Sequence, residues 1–183
     1  MNRESIHMTL QRDKVILVNE LDEGVHIVSK ADAHRDGSLH RALSVFITND
    51  KGELLLQQRA AGKYHSGGLW SNSCCSHPAP DELTIDAAHR RLWEEMGFDT
   101  ALTPIGTLKY KAVVGNGLIE HELDHLFNGS WNGDVQPDAD EVDAVQWISP
   151  RELDAWMRES PQQFTAWFPI LLHAWRARTA AGF

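Results

Sequence analysis

One segment constrains the fold of this chain more than any other, the stretch from about Glu82 to Met96. Its apolar residues recur at the three- and four-residue spacing of a helix: Ile85, Ala88, Leu92 and Met96. Gly97 follows immediately and can adopt the left-handed conformation that ends a helix. Strand-like segments lie on both sides, so we expect one central helix between strands. This order predicts an α+β fold of the α/β sandwich type.

The flanking segments have strand patterns. Residues 39–48 and 53–59 are joined by the turn sequence 49–52, which predicts a hairpin with one buried face. Three later segments also predict strands, with a turn at Asn132-Gly133 before the last of them: 107–114, 118–131 and 141–147. The sheet is therefore expected to be built from segments on both sides of the central helix.

The C-terminal part is predicted to be helical. A capping box that begins at Ser149, with Pro150 at the first helical position, opens a short helix. A final helix is expected from near Thr165 to Ala177. Residues 1 to about 12 are expected to form a loose tail. The 183 residues contain no internal repeat or linker, so we expect a single domain over 1–183.

The charge of the chain argues against several classes of partner. The formal net charge is -9, and an acidic surface repels nucleic-acid backbones and anionic membranes. An anionic ligand must therefore meet a local basic patch or a metal ion. No apolar run approaches the roughly 18 residues of a membrane span, and no signal peptide is evident. We expect a cytoplasmic protein that binds neither nucleic acid nor membrane, as a monomer or a weak homodimer.

The cysteines of the chain are sequence neighbours, Cys74 and Cys75. Adjacent cysteines have poor geometry for a structural disulfide, and free thiols suit a reducing compartment. A small buried hydrophobic residue is the ordinary role of such a cysteine.

The helical segment resembles the Nudix box, with Glu82 at the upstream glutamate position and residues 88–98 forming the core. In that motif, carboxylates on one helix face hold Mg²⁺ against a diphosphate. A solvated acidic helix face is the alternative. Arg91 stands where Nudix hydrolases carry a glutamate that helps to bind metal, which argues against ordinary diphosphate hydrolysis.

The altered box and several separate blocks resemble the type I isopentenyl-diphosphate isomerases, from about His34 to Trp167. The resemblance implies a Nudix-like mixed sheet flanked by helices, with helices at the C-terminal end. Ser71 to Pro78 resembles the family block Asn-Thr/Ser-x-Cys-x-His-Pro. This match implies that Cys75 is the catalytic acid/base and that His77 is a metal ligand. A Cys-x-His zinc pair is an alternative, but no second cysteine pair could complete it.

A second block, at 119–123, places Glu120 and Glu122 on one face of a strand, where one metal could bind both. Salt-bridged surface glutamates are the alternative. The resemblance implies that both are ligands and that Glu122 is also the second proton-transfer group. It also implies two further ligands, His34 and His40. Three histidines and two carboxylates suit Mn²⁺, Mg²⁺ or Zn²⁺.

The other histidines match no family position and are interpreted as structural or surface residues: His7, His26, His65, His89, His121, His125 and His173.

Further residues carry over from the family. The resemblance implies that Arg59 and Lys63 contact the diphosphate, although an exposed basic pair would look the same. It places Tyr110 near the reacting carbons and the Trp167 indole beside a carbocation. The alternative for both residues is an ordinary aromatic side chain of the core.

The implied function is an isomerase of isoprenoid biosynthesis, interconverting isopentenyl diphosphate and dimethylallyl diphosphate through a tertiary carbocation. The resemblance further implies a second Mg²⁺, which arrives with the substrate and is held by Glu95 and the backbone carbonyl of Cys75. A Nudix hydrolase of a nucleotide or prenyl diphosphate is the alternative, and a non-enzymatic metal-binding module is a third possibility.

Overall fold

The computed structural model describes residues 13–180, so the tail predicted at 1–12 lies outside the described residues. Within them, nine strands and four helices follow one another, with two short 3-10 turns. In chain order they are β1 (Lys14–Val18), β2 (Gly24–Ser29), α1 (Lys30–Asp36), β3 (His40–Thr48), β4 (Leu54–Arg59), β5 (Trp70–Ser71), β6 (Cys74–Ser76), α2 (Thr84–Met96), β7 (Leu102–Val113), β8 (Ile119–Ser130), β9 (Val142–Ile148), α3 (Pro150–Glu159) and α4 (Phe168–Ala180).

The sheet is mixed and is organised around β3. Strand β8 pairs with β3 in parallel, from His40 opposite Glu122 to Thr48 opposite Ser130. Strand β7 is antiparallel to β8, and β1 carries β2 on its outer side. Strands β1, β6 and β4 contact successive parts of β3. Strand β4 pairs in turn with β5 and β9.

The predicted hairpin forms only at its turn. The two strands pair at Thr48 and Leu54 and then diverge. Ser73 fills the gap between them: its Oγ accepts a hydrogen bond from the Ile47 amide at 2.9 Å and donates one to the Leu55 carbonyl at 2.8 Å. The prediction of one buried face was wrong, because β3 and β4 enter different halves of the sheet and are covered on both faces.

Two cores lie on opposite faces of the sheet. Phe46 of β3 and Leu56 of β4 pack on the side of α3 and α4, with Leu153 and Phe168. The alternating neighbours face α2 instead, in a second core that includes Val45, Ile47, Leu55, Leu92 and Met96. Helical layers therefore cover both faces, and the predicted α+β sandwich is confirmed.

Most predicted helix limits are close to the observed ones. Helix α2 begins at Thr84 and ends at Gly97, whose φ of 74° is left-handed. A Cβ at Gly97 would lie 2.3 Å from the Gln136 carbonyl oxygen, so a larger residue would force the backbone to move. The capping box at Ser149 is present. The last helix begins at Phe168 rather than near Thr165.

The segment β1–β2–α1 was not predicted, although it carries one wall of the site described below. Among residues 13–180, no helix is long and apolar enough to span a membrane.

Candidate active site

Five side chains converge at one end of the β3–β8 pair. Their nitrogen and oxygen ligand atoms all lie within 4.8 Å of one another, and they belong to His34, His40, His77, Glu120 and Glu122. The structure thus brings together all five residues that the sequence predicts for the first metal ion. Three histidines with two carboxylates form a donor set for a divalent cation.

The fold explains this convergence. His40 begins β3 opposite Glu122 in the parallel register, and Glu120 projects from the same face of β8. His34 comes from α1, which ends at Gly37 with a φ of 63°. The chain turns back there into β3, and a Cβ at Gly37 would lie 3.2 Å from Ile119. A short helix and a tight turn therefore place two histidines beside one strand pair.

Inside the cluster, Nε2 of His34 lies 2.8 Å from Oε2 of Glu120, and Nε2 of His40 lies 3.6 Å from Oε1 of Glu122. The Nδ1 of His40 donates to the Ser38 carbonyl at 2.8 Å, which directs the Nε2 lone pair into the cluster. The Nδ1 of His34 is hydrogen-bonded to the Tyr64 hydroxyl at 2.5 Å. Buried imidazoles with oriented rings that face two carboxylates fit a bound metal ion.

The electrostatics also fit a cation. Burial and the neighbouring Glu122 carboxylate act to raise the pKa of Glu120, but His34 and His65 outweigh them and hold it at about 2. Burial lowers the pKa of His77 well below its usual value. An ionised carboxylate and a neutral imidazole are the forms that bind metal.

The purified protein is therefore expected to keep about one metal ion per chain through dialysis, as a multi-ligand protein site does. His40→Ala removes a fully buried ligand and should abolish this retention, whereas His173→Ala, at an exposed position on α4, should not. Elemental analysis of the dialysed proteins measures both. Equal metal content in the two variants would contradict the assignment.

Cys75 lies beside this cluster on β6, opposite Ser44 of β3. Its Sγ donates to Oδ1 of Asn72 at 3.0 Å and lies 3.5 Å from Oγ of Ser44. Burial raises the pKa of the thiol to about 12. The protonated thiol is therefore the resting form at neutral pH. Cys74 points the other way, into the core beneath α2.

Two aromatic residues border the same space. The Tyr110 hydroxyl donates to Oε2 of Glu122 at 2.5 Å, and burial raises its pKa well above the usual value. Trp167 is 3% exposed, lies just before α4, and donates from Nε1 to Oγ of Ser71 at 3.1 Å. Both side chains therefore have fixed orientations.

A cleft of about 370 Å³ opens next to the cluster, and six of its lining residues are cationic: Lys14, Lys30, Arg59, Lys63, Arg90 and Arg91. A smaller inner space of about 20 Å³ is lined by Cys75, Tyr110, Glu122 and Trp167, among others. The two spaces share five lining residues: Lys30, Arg59, Cys75, Ser76 and His77. An acidic protein thus has a local basic patch directly beside its metal-ligand cluster.

Some of these cations are paired with carboxylates. Arg91 donates to Oε1 of Glu95 at 2.6 Å and lies 3.3 Å from Glu141. Lys63 also pairs with Glu141. Glu95, the predicted second Mg²⁺ ligand, is 4% exposed and lines the cleft. Arg91 therefore occupies its Nudix-box position as an ion-pair partner of Glu95.

Three residues at the site were missed or misjudged. His65 is 4% exposed, and its Nε2 lies 3.1 Å from Oε1 of Glu120, so its grouping with structural or surface histidines overlooked a contact to the ligand cluster. Tyr64 contacts His34, and Lys30 lines both spaces. No sequence pattern predicts these contacts, because Tyr64 and His65 lie in a loop and Lys30 begins a helix that was not predicted. His7 lies outside the described residues.

The chain is similar to known proteins over most of its length. Residues 38–168 match the NUDIX domain model. The chain is 53% identical over 157 residues to the isopentenyl-diphosphate Delta-isomerase of Pectobacterium atrosepticum, covering 86% of this chain and 88% of that protein. It is 48% identical to the enzyme of the same name from Burkholderia multivorans, covering 91% and 99%.

Solved structures agree at the level of the fold. A Deinococcus radiodurans protein superposes with a TM-score of 0.68 at 16% identity, over 84% of this chain and 92% of that one. The chain contains a NUDIX domain and belongs to the isopentenyl-diphosphate Delta-isomerase family.

Proposed function

We propose that this chain interconverts isopentenyl diphosphate and dimethylallyl diphosphate, a step of isoprenoid biosynthesis. The observation that carries the proposal is that two spaces meet at Cys75. One is a cationic cleft, and the other is a small space whose lining includes a thiol, two carboxylates and the rings of Tyr110 and Trp167. Such a pair of spaces suits a substrate with an anionic head and a reactive hydrocarbon end. The high identity to named isomerases over most of the chain supports the same function.

The diphosphate end is assigned to the cleft. Arg59 and Lys63 would bind the diphosphate oxygens, and Lys30 and Arg91 line the same cleft. Glu95, together with the backbone carbonyl of Cys75, would hold a Mg²⁺ that arrives with the substrate. Lys63 and Arg91 both pair with Glu141. A bound diphosphate would replace the Glu141 carboxylate as their anionic partner.

The hydrocarbon end is assigned to the inner space. There Cys75 and Glu122 would act as proton donor and acceptor, so that the terminal alkene gains a proton and the resulting tertiary cation loses one at the carbon nearer the diphosphate. Tyr110 would hold Glu122, and the Trp167 ring would stabilise the cation. An alkene is a very weak base, so the reaction requires the dry surroundings that these buried side chains offer.

The five-residue cluster would hold Mn²⁺, Mg²⁺ or Zn²⁺. A bound ion supplies a fixed positive charge beside Glu120 and Glu122. The chain itself holds three imidazoles and two carboxylates close together around one point. The free thiols Cys74 and Cys75 are consistent with the cytoplasm as the location.

Deuterium incorporation tests the proposed reaction. In deuterated water with Mg²⁺, isopentenyl diphosphate is expected to become dimethylallyl diphosphate with deuterium in a methyl group, because the new C–H bond takes its hydrogen from an exchangeable acid. Proton, deuterium and phosphorus NMR follow the product. Release of inorganic phosphate or the monophosphate, with no deuterium in carbon, would identify a Nudix hydrolase instead.

A further inference from the structure

Asn72 is fully buried beside Cys75 of the proposed reaction centre. Its Nδ2 donates to two backbone carbonyls, Val45 at 3.1 Å and Cys74 at 3.0 Å. Both amide protons are therefore committed to the backbone. Rotation of the carboxamide would break both of these buried hydrogen bonds, which is costly.

The opposite side of this carboxamide is fixed as a result. Oδ1 of Asn72 accepts from Sγ of Cys75 at 3.0 Å and from Oγ of Ser71 at 3.1 Å. Oγ of Ser71 in turn accepts from Nε1 of Trp167 at 3.1 Å and from Oγ1 of Thr165 at 3.3 Å. A continuous chain of hydrogen bonds therefore links the thiol and the indole through Ser71 and Asn72.

Two hydroxyl oxygens near the thiol lie farther from Sγ than Oδ1 of Asn72 does. Oγ of Ser44 lies 3.5 Å from Sγ and donates its proton to Asp124 at 2.7 Å. Oγ of Ser71 is 3.8 Å from Sγ and donates to Asn72. Oδ1 of Asn72 is thus the nearest acceptor for the S–H group and has the shortest contact with it.

We propose that Asn72 is a positioning residue, which fixes Sγ of Cys75 and the resting direction of its S–H bond. Through Ser71 it also fixes the position of the thiol relative to the Trp167 indole. This inference rests on the proposed function, because it assigns the thiol to proton transfer. The role requires two donors and one acceptor in a plane, which a carboxamide provides and a hydroxyl or an aliphatic side chain does not.

Infrared spectroscopy tests the inference directly, because the S–H stretch responds to hydrogen bonding of the thiol proton. In a Cys74→Ala background only the Cys75 thiol remains. Asn72→Ala in that background is expected to move the S–H band towards that of a free thiol. Turnover should fall about ten- to a hundredfold with little change in KM, as for other supporting residues around a reactive group.

Asn128→Ala is the matched control. Asn128 also accepts an indole N–H, from Trp175 at 2.9 Å, but it lies outside both spaces of the site. This variant is expected to leave the S–H band and kcat unchanged. A folded Asn72→Ala protein with an unshifted band, or with the kcat of its parent, would overturn the inference.

Ser71→Ala provides a second test if Asn72→Ala does not fold. It removes the hydroxyl between Trp167 and Asn72 and leaves the carboxamide bonds to the backbone intact. We expect kcat to fall about tenfold at constant KM, and an unchanged kcat would refute the link to the indole. The S–H band is measured without turnover, so it tests the role of Asn72 independently of activity. A wild-type protein that fails to isomerise would refute the proposed function alone.

Discussion

Replacing Cys75 by alanine is expected to lower kcat by about a thousandfold or more, because positioned proton transfer contributes roughly 10²–10⁴ in rate and an alkene has no easier route to a proton. The fold should survive, since the thiol is small and sits at the edge of the inner space. Steady-state conversion of isopentenyl diphosphate, followed by NMR, measures the loss. The infrared S–H band of this residue should disappear as well.

Cys74→Ala is the matched control for this variant. Cys74 is equally small and fully buried, but it faces the core beneath α2. Its loss should reduce stability modestly and leave kcat within a few-fold of wild type. If Cys74→Ala lost turnover and Cys75→Ala kept it, the catalytic thiol would be the wrong one of the pair.

Glu122→Gln is expected to have an effect of similar size. Burial acts to raise the pKa of Glu122, but the nearby His40 imidazole and the hydrogen bond from Tyr110 outweigh it and lower the pKa, so the carboxylate is ionised at neutral pH. The amide keeps the volume but can neither accept a proton nor serve equally well as a ligand beside His77. Turnover and metal content should therefore both fall, as measured by the isomerisation assay and by elemental analysis.

Asp124→Asn separates this loss from a general effect of changing a buried carboxyl group. Asp124 lies on the same face of β8 and is fully buried. Burial raises its pKa well above the usual value, so the neutral amide resembles its resting form. The change should cost much less than Glu122→Gln. Equal losses in the two variants would point to strand packing rather than proton transfer.

The predictable parts of the fold are those with local signals. Helix α2 has apolar residues at helical spacing and a glycine at its C-cap, and α3 has a capping box. The divergence of β3 and β4 has no such signal, because it depends on Ser73 inserting from a later segment. Strand β2 is exposed for most of its length, and the apolar run of β1 lacks a clear alternation.

The candidate site also has a part that the sequence predicts and a part that it does not. The ligands and catalytic side chains that lie around one point could be predicted because they belong to short blocks that match the family. Contacts made by single residues were not predictable. Tyr64 reaches His34 and His65 reaches Glu120 only because the loop after β4 folds back over α1 and β8. Tertiary packing, rather than sequence spacing, sets those distances.

The parallel pairing of β3 with β8 also has a consequence for folding kinetics. It joins segments far apart in the chain, as in the contact between Ser44 and Asp124, which are 80 positions apart. Closing such a long loop costs entropy before native contacts compensate, so this pairing should form late. The five candidate ligands meet only once it has formed. A bound ion should therefore slow unfolding far more than it accelerates folding, and metal loading would lengthen the lifetime of the native state.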